Sequence, residues 1–184
     1  MPLVETTMVS RRDLKSVHEE AVLQHFKAHL EAQGVILQIL DRPEPPEAIV
    51  ELDGERTWVE ITDAFLDKKH AIGLTSGVCD DVKHIPDDGR LVVGPDEMFS
   101  TALHSVIEAK YDKKSMRAIS ADLGPGILLV GVFTPFTTAE EVTGTEATSI
   151  AQLVSTKPDK VFRTIYVYDG YGQRQFHVLH RQEA

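Results

Sequence analysis

Cysteine is nearly absent. One thiol, Cys79, stands among 184 residues, so the chain closes no internal disulfide and builds no cysteine-rich metal cluster. Long apolar runs are missing too. None approaches the roughly 18 residues that a membrane span needs, and the N-terminus has no apolar signal-peptide core. The expected compartment is the cytoplasm, with no membrane partner. Positive charge is in deficit: 19 Lys and Arg against 29 Asp and Glu leave a net charge of −10. That balance repels phosphates on average and argues against a nonspecific nucleic-acid binder, though not against a local basic groove. Walker, GxGxxG and GxSxG sequences do not occur, which removes the phosphate-loop, dinucleotide and hydrolase-elbow readings. Eight histidines are present, but none has zinc spacing with partners. His25 and His29, four apart, lie off the apolar stripe of their helix and are expected at the surface.

What remains is the pattern of an ordinary globular α/β chain, long enough for one domain with a real core. There is no internal repeat and no low-complexity segment. The reading is a single domain over 1–184, with residues 1–13 loosely ordered and 64–97 a loop-rich insertion. Glycines and prolines crowd that insertion, with a short strand expected at RLVVG. Residues 16–33 read as a helix with Ser16 as N-cap and Gly34 past its end. VILQIL at 35–40 is a strand. A second long helix covers 97–117. GILLVGVF at 126–133 is a continuous apolar run, as in a buried central strand. TAEE at 138–141 has capping-box spacing and opens a helix reaching about Val154, interrupted near Gly144. The runs 160–169 and 173–180 alternate and form a closing strand pair, in which the tyrosines and Phe162 pack rather than stack bases. The sum is an α/β sandwich around a mixed central sheet flanked by helices.

The segment RPEPPEAIVELDGERTWVEIT, from Arg42 to Thr62, carries the chemistry. Asp53-Gly54 between alternating runs is a strong hairpin signal, because a type I′ turn needs positive φ at both positions. A two-residue loop pairs Leu52 with Glu55, Val50 with Thr57, Ile49 with Trp58 and Ala48 with Val59. The same count brings Glu47 opposite Glu60. Opposed like charges are destabilising, and a hard cation between them removes the repulsion. Thr62 shares the face of Glu60. A slip of one residue would instead place the two glutamates on opposite faces, and glutamates at strand ends also point into water.

Two further charged residues fall on apolar faces. On a wheel of about 100° per residue, Val22, Leu23, Phe26 and Leu30 form one stripe, with Glu19 in its middle and Glu20 on its flank. Glu19 is either paired in the interior or exposed in the first turn, where the helix dipole favours it. In the second helix Phe99, Ala102, Leu103 and Val106 form the stripe. Lys110 continues it, and Lys113 and Lys114 flank it. Either the lysine stem covers apolar surface, or its ammonium points at the hairpin carboxylates.

Taken together, Glu19 on the first helix, PPE ending at Glu47, EIT at 60–62, and the later helix and buried strand resemble the PD-(D/E)XK nuclease-like, or restriction endonuclease-like, superfamily. Its αβββαβ core order matches residues 16–133. The resemblance implies a divalent-metal-dependent nuclease that hydrolyses phosphodiester bonds. Glu47 and Glu60 would bind Mg²⁺ or Mn²⁺, and Glu19 would be the acidic residue of the first helix. Thr62 departs from the pattern, which usually has lysine there. Some members supply that lysine from the next helix, which makes Lys110 the candidate. Pro43-Glu44 is a second way to read the motif's first half, pairing Glu44 with Asp63. The competing reading is a catalytically inactive nuclease-like module for binding or assembly. Nucleic acid is the expected partner of the first reading, and a homodimer is compatible with either.

Overall fold

The computed structural model of the chain describes residues 11–66, 93–172 and 174–182. The elements run α1 (Arg11–Glu31), β1 (Leu37–Asp41), β2 (Ala48–Leu52), β3 (Glu55–Phe65), α2 (Pro95–Asp112), α3 (Lys114–Leu123), β4 (Gly126–Phe133), α4 (Ala139–Ser155), β5 (Phe162–Asp169) and β6 (Phe176–Arg181). The six strands form one mixed sheet in sequence order. The β1–β2, β2–β3 and β5–β6 pairs are antiparallel, and β4 is parallel to both β3 and β5. An α/β architecture with a mixed sheet flanked by helices is therefore what the sequence builds.

The hairpin turns at Asp53-Gly54, with φ of 48° and 87°, both positive as a type I′ turn requires. Its register runs from Leu52↔Glu55 to Ala48↔Val59, as the turn chemistry dictates. The apolar run becomes β4, buried along nearly its whole length. Each of its buried branched side chains contributes roughly 1.5–3 kcal/mol by leaving water. Gly126 opens that strand because Trp58 lies against it: a Cβ there would meet the indole at 2.4 Å. The indole Nε1 donates to the Gly124 carbonyl at 2.8 Å.

Two cores sandwich the sheet. On one face α1 contributes Val22, Leu23, Phe26 and Leu30 against Val50, Val59, Ile61, Leu129 and their neighbours. On the other, α2, α3 and α4 pack Phe99, Leu103, Met116 and Ile150 against Trp58, Ala64, Leu128 and Val130. Period-two alternation along β3 therefore directs Glu60, between Val59 and Ile61, to the α2 face.

Several boundaries differ from the sequence reading. Ser16 is not an N-cap: α1 already runs from Arg11, so Glu19 is an interior helix residue rather than a first-turn one. The second helix is two, since Lys113 adopts an extended conformation (φ −71°, ψ 121°) that ends α2 and starts α3. Its buried stripe is Phe99, Leu103, Ile107 and Tyr111, and Lys110, seven residues after Leu103 and three after Ile107, falls within the arc of that stripe, as the sequence reading has it. The α4 helix has the capping box at Thr138 and Glu141 but passes Gly144 without interruption. Within 64–97, β3 continues to Phe65 and α2 begins at Pro95. Residues 67–92 lie outside the described residues, as do 1–10, so the loop reading there and most of the RLVVG strand fall outside them. Val93 and Gly94 form a bend ahead of α2.

Candidate metal centre

Two connections bring carboxylates to one end of the sheet. The hairpin register stops at Ala48↔Val59, so Glu47 lies just before β2 and is not paired with Glu60, although both line the same cleft. The β1–β2 connection is tied to α1 by Arg42, whose guanidinium pairs with Glu20 and whose Nε donates to the Glu47 carbonyl oxygen at 3.3 Å. Glu20, on the flank of the helix stripe, thus anchors the segment that carries Glu47. Glu19, one residue earlier, is turned to the interior.

All four residues singled out from the sequence, Glu19, Glu47, Glu60 and Lys110, line one cleft of about 900 Å³. Three of them are deeply buried: Glu19 is 3 % exposed, Glu47 6 % and Glu60 2 %. Each has one buried carboxylate oxygen, Oε2, without a hydrogen-bond partner. Burying an unpaired charged oxygen is costly unless a cation or proton satisfies it. The Lys110 ammonium donates to the other oxygen of Glu60 at 2.5 Å, so α2 does deliver a lysine to the hairpin carboxylate. Lys113 also lines the cleft, as does Thr62, whereas Lys114 is exposed outside it.

The grouping of ligand atoms differs from the hairpin pair alone. Oxygens of Glu19, Glu44 and Glu47 all lie within 4.8 Å of one another. Glu44, weighed from the sequence as an alternative to Glu47, joins it in one cluster. Glu60 stands beside this trio, held by Lys110 and close enough for its charge to act on Glu47. An all-carboxylate donor set suits a hard, oxygen-seeking divalent cation of the Mg²⁺ or Mn²⁺ kind. Two of the three orphaned oxygens, those of Glu19 and Glu47, belong to residues that such an ion would ligate.

The electrostatics express the same crowding. Burial, then the charge of Glu19, pushes the Glu47 carboxyl up to about 7, with Glu60 adding to the rise and Lys15 opposing it. Lys15 has no counterpart in the sequence reading. Its ammonium lies 2.8 Å from Glu19 and 3.6 Å from Glu47. The hydrogen bond to Glu19, aided by the charges of Glu47 and Glu44, holds the Lys15 ammonium above its ordinary range. The i,i+4 spacing of Lys15 and Glu19 was the available signal, once the helix is known to extend that far.

A second constellation, also absent from the sequence reading, borders the cleft. His18 Nε2 lies 3.1 Å from Asp63 Oδ2. The Tyr168 hydroxyl donates to Asp63 Oδ1 at 2.8 Å and sits 3.3 Å from His18 Nε2. Gly131 makes room for them: a Cβ there would meet Asp63 Oδ1 at 2.4 Å and the Tyr168 oxygen at 2.8 Å. Burial, then the Asp63 charge, raises the Tyr168 phenol well above its usual range, so it stays a donor. An imidazole held by a carboxylate at a cleft wall is placed to take or give a proton.

The remaining candidates are plainer. Tyr166, Tyr168 and Phe162 are buried packing residues, as expected, but Tyr171 is 44 % exposed and lines the cleft. His25 is exposed as expected. His29 is not a simple surface residue, since it packs beside Phe26, Tyr166 and Phe176. No helix among the described residues is long and apolar enough to cross a membrane. No protein-family model matches the chain, and neither do any curated protein or solved structure.

Proposed function

We propose that the chain is a divalent-metal-dependent nuclease with a restriction endonuclease-like core spanning α1 to β4. The observation that carries this reading is the meeting, in one cleft, of buried carboxylates from three separate segments with a lysine from a fourth. The order of those elements, one helix, three strands, a helical stretch broken at Lys113 and then a strand, supports it. Glu19, Glu44 and Glu47 would hold Mg²⁺ or Mn²⁺, with Glu60 alongside. A bound divalent cation supplies charge stabilisation at a phosphoryl oxygen and a more acidic water. Lys110, paired with Glu60, offers a preorganised positive charge to a phosphodiester in the cleft, in the place where Thr62 cannot. Asp63 orients His18, which can move a proton at the cleft wall.

The alternative is an inactive module in which Lys15 is a built-in counter-ion for the cluster. The contacts of Lys15 with Glu19 and Glu47 favour it. Its side chain, however, is 63 % exposed, so a divalent ion can displace it at little cost in packing. The deciding assay offers single- and double-stranded DNA and RNA with Mg²⁺ or Mn²⁺. Cleavage by the wild type that falls about 10²-fold or more in Glu47→Gln supports the nuclease. Absence of cleavage on all four substrates leaves the binding module.

A further inference from the structure

A second cavity of about 690 Å³ opens between the C-terminal half of α1 and the start of β6. Its wall includes His25 and His29 from one side and Arg174 and His177 from the other, and no carboxylate among the described residues lines it. That is notable in a chain with a net charge of −10. Two nitrogens there, Arg174 Nε and His177 Nε2, are buried without a hydrogen-bond partner. A guanidinium nitrogen is always a charged donor and cannot switch to accepting. Leaving it dry and unpaired costs the full desolvation of that group. Among the described residues the guanidinium makes a hydrogen-bonding contact through Nη1 with His25 Nδ1, at 3.2 Å, an arrangement that orients the fork but supplies no negative charge.

We propose that this cavity binds a phosphate-type oxyanion, received by the Arg174 guanidinium and the His177 imidazole that line it. A cation is disfavoured by the fixed charge of Arg174. The cavity is larger than a lone phosphate ion, so the group it takes can be the phosphoryl portion of a larger molecule. The same oxyanion chemistry has two sources: free or terminal phosphate, and the phosphodiester of a nucleic-acid strand. Adjacent residues link this cavity to the acidic cleft, since Tyr171 lines one and Gly172 the other. Along α1, His18 and His25 are separated by about 10 Å at ~1.5 Å per residue. That is about three nucleotide steps at ~3.4 Å each.

The test is a titration of the full chain with inorganic phosphate against chloride at equal ionic strength, read by thermal shift and by calorimetry. Phosphate should raise Tm where chloride does not. Arg174→Gln should weaken phosphate binding at least tenfold, while Glu47→Gln, in the other cleft, should leave it unchanged. In the wild type, ¹H–¹⁵N spectra should show the Arg174 Nε and His177 ring signals moving on phosphate addition, a readout that needs no variant. No phosphate-specific shift, or full binding retained by Arg174→Gln, overturns the site. A short single strand without terminal phosphate that displaces inorganic phosphate assigns the oxyanion to a strand. Displacement only by a 5′-phosphorylated mononucleotide assigns it to free or terminal phosphate. Because phosphate binding is measured without metal and without cleavage, its outcome stands apart from that of the nuclease reading.

Discussion

Glu47→Gln should stabilise the metal-free protein, and only above a defined pH. In the folded chain Glu47 keeps its proton up to about 7, chiefly because of burial and then the Glu19 charge. In the unfolded chain it releases it near the ordinary carboxylate value of 4.5. Between those values the folded state binds more protons, so stability falls as pH rises through that window. Above 7 the whole penalty of an ionised Glu47 is present. From 4.5 to about 7 is roughly 3 kcal/mol at 1.36 kcal/mol per decade of proton affinity. The cleft is open to water and Lys15 is close, so ~2 kcal/mol is the expected size. For a chain of this length that is a Tm difference of ~4–8 °C. The assay compares melting of wild type and Glu47→Gln in EDTA at pH 4.5 and pH 8.5. The glutamine variant should melt higher at pH 8.5 and within about a degree of wild type at pH 4.5. An equal loss of Tm at both values would refute the reasoning, because it would mean that Glu47 contributes packing and hydrogen bonds rather than uncompensated charge.

With metal the order should reverse: Mn²⁺ at 100-fold its Kd stabilises the wild type by about 2.7 kcal/mol, and calorimetry should find no such gain in Glu19→Gln or Glu47→Gln. Lys15→Met should tighten Mn²⁺ binding in the same titration, since it removes the competing ammonium; weaker binding would make Lys15 a support of the site instead. Lys110→Met leaves the buried Glu60 without its cation and should lower stability by about 3 kcal/mol in denaturant melts, with most of that loss absent when it is made in a Glu60→Gln background. If the chain cleaves, the same Lys110→Met change should slow metal-dependent cleavage about 10²-fold at a temperature where the variant is folded, and rates like wild type would remove Lys110 from the chemistry. Gly131→Ala forces a methyl group against Asp63 and Tyr168 and should destabilise by about 1–3 kcal/mol; the fluorescence of the only tryptophan, Trp58, gives the unfolding midpoint.

The hairpin was legible in the sequence because its determinants are local. Asp53-Gly54 selects the turn, the turn sets the register, and period two then puts Glu47 and Glu60 on one face. β4 was legible because an eight-residue apolar run has no stable place but the middle of a sheet. The capping box of α4 is likewise a contact across three residues. Glu19 stood out because its helix stripe would otherwise have been wholly apolar. What the sequence by itself left open was the company these residues keep. Glu44 and Glu47 meet Glu19 because the β1–β2 connection packs against α1, where Arg42 ties it to Glu20. Lys15 belongs to the site only because α1 extends beyond Ser16. Lys110 lies on the buried stripe of α2, but it meets Glu60 only through how Phe99, Leu103 and Ile107 seat that helix on the sheet. His18, Asp63 and Tyr168 come from an interior helix turn and two strands that β4 separates. A helical wheel or a strand alternation fixes direction within one element. The distance between side chains on different elements is set by how two apolar faces pack, and that is a property of the folded whole.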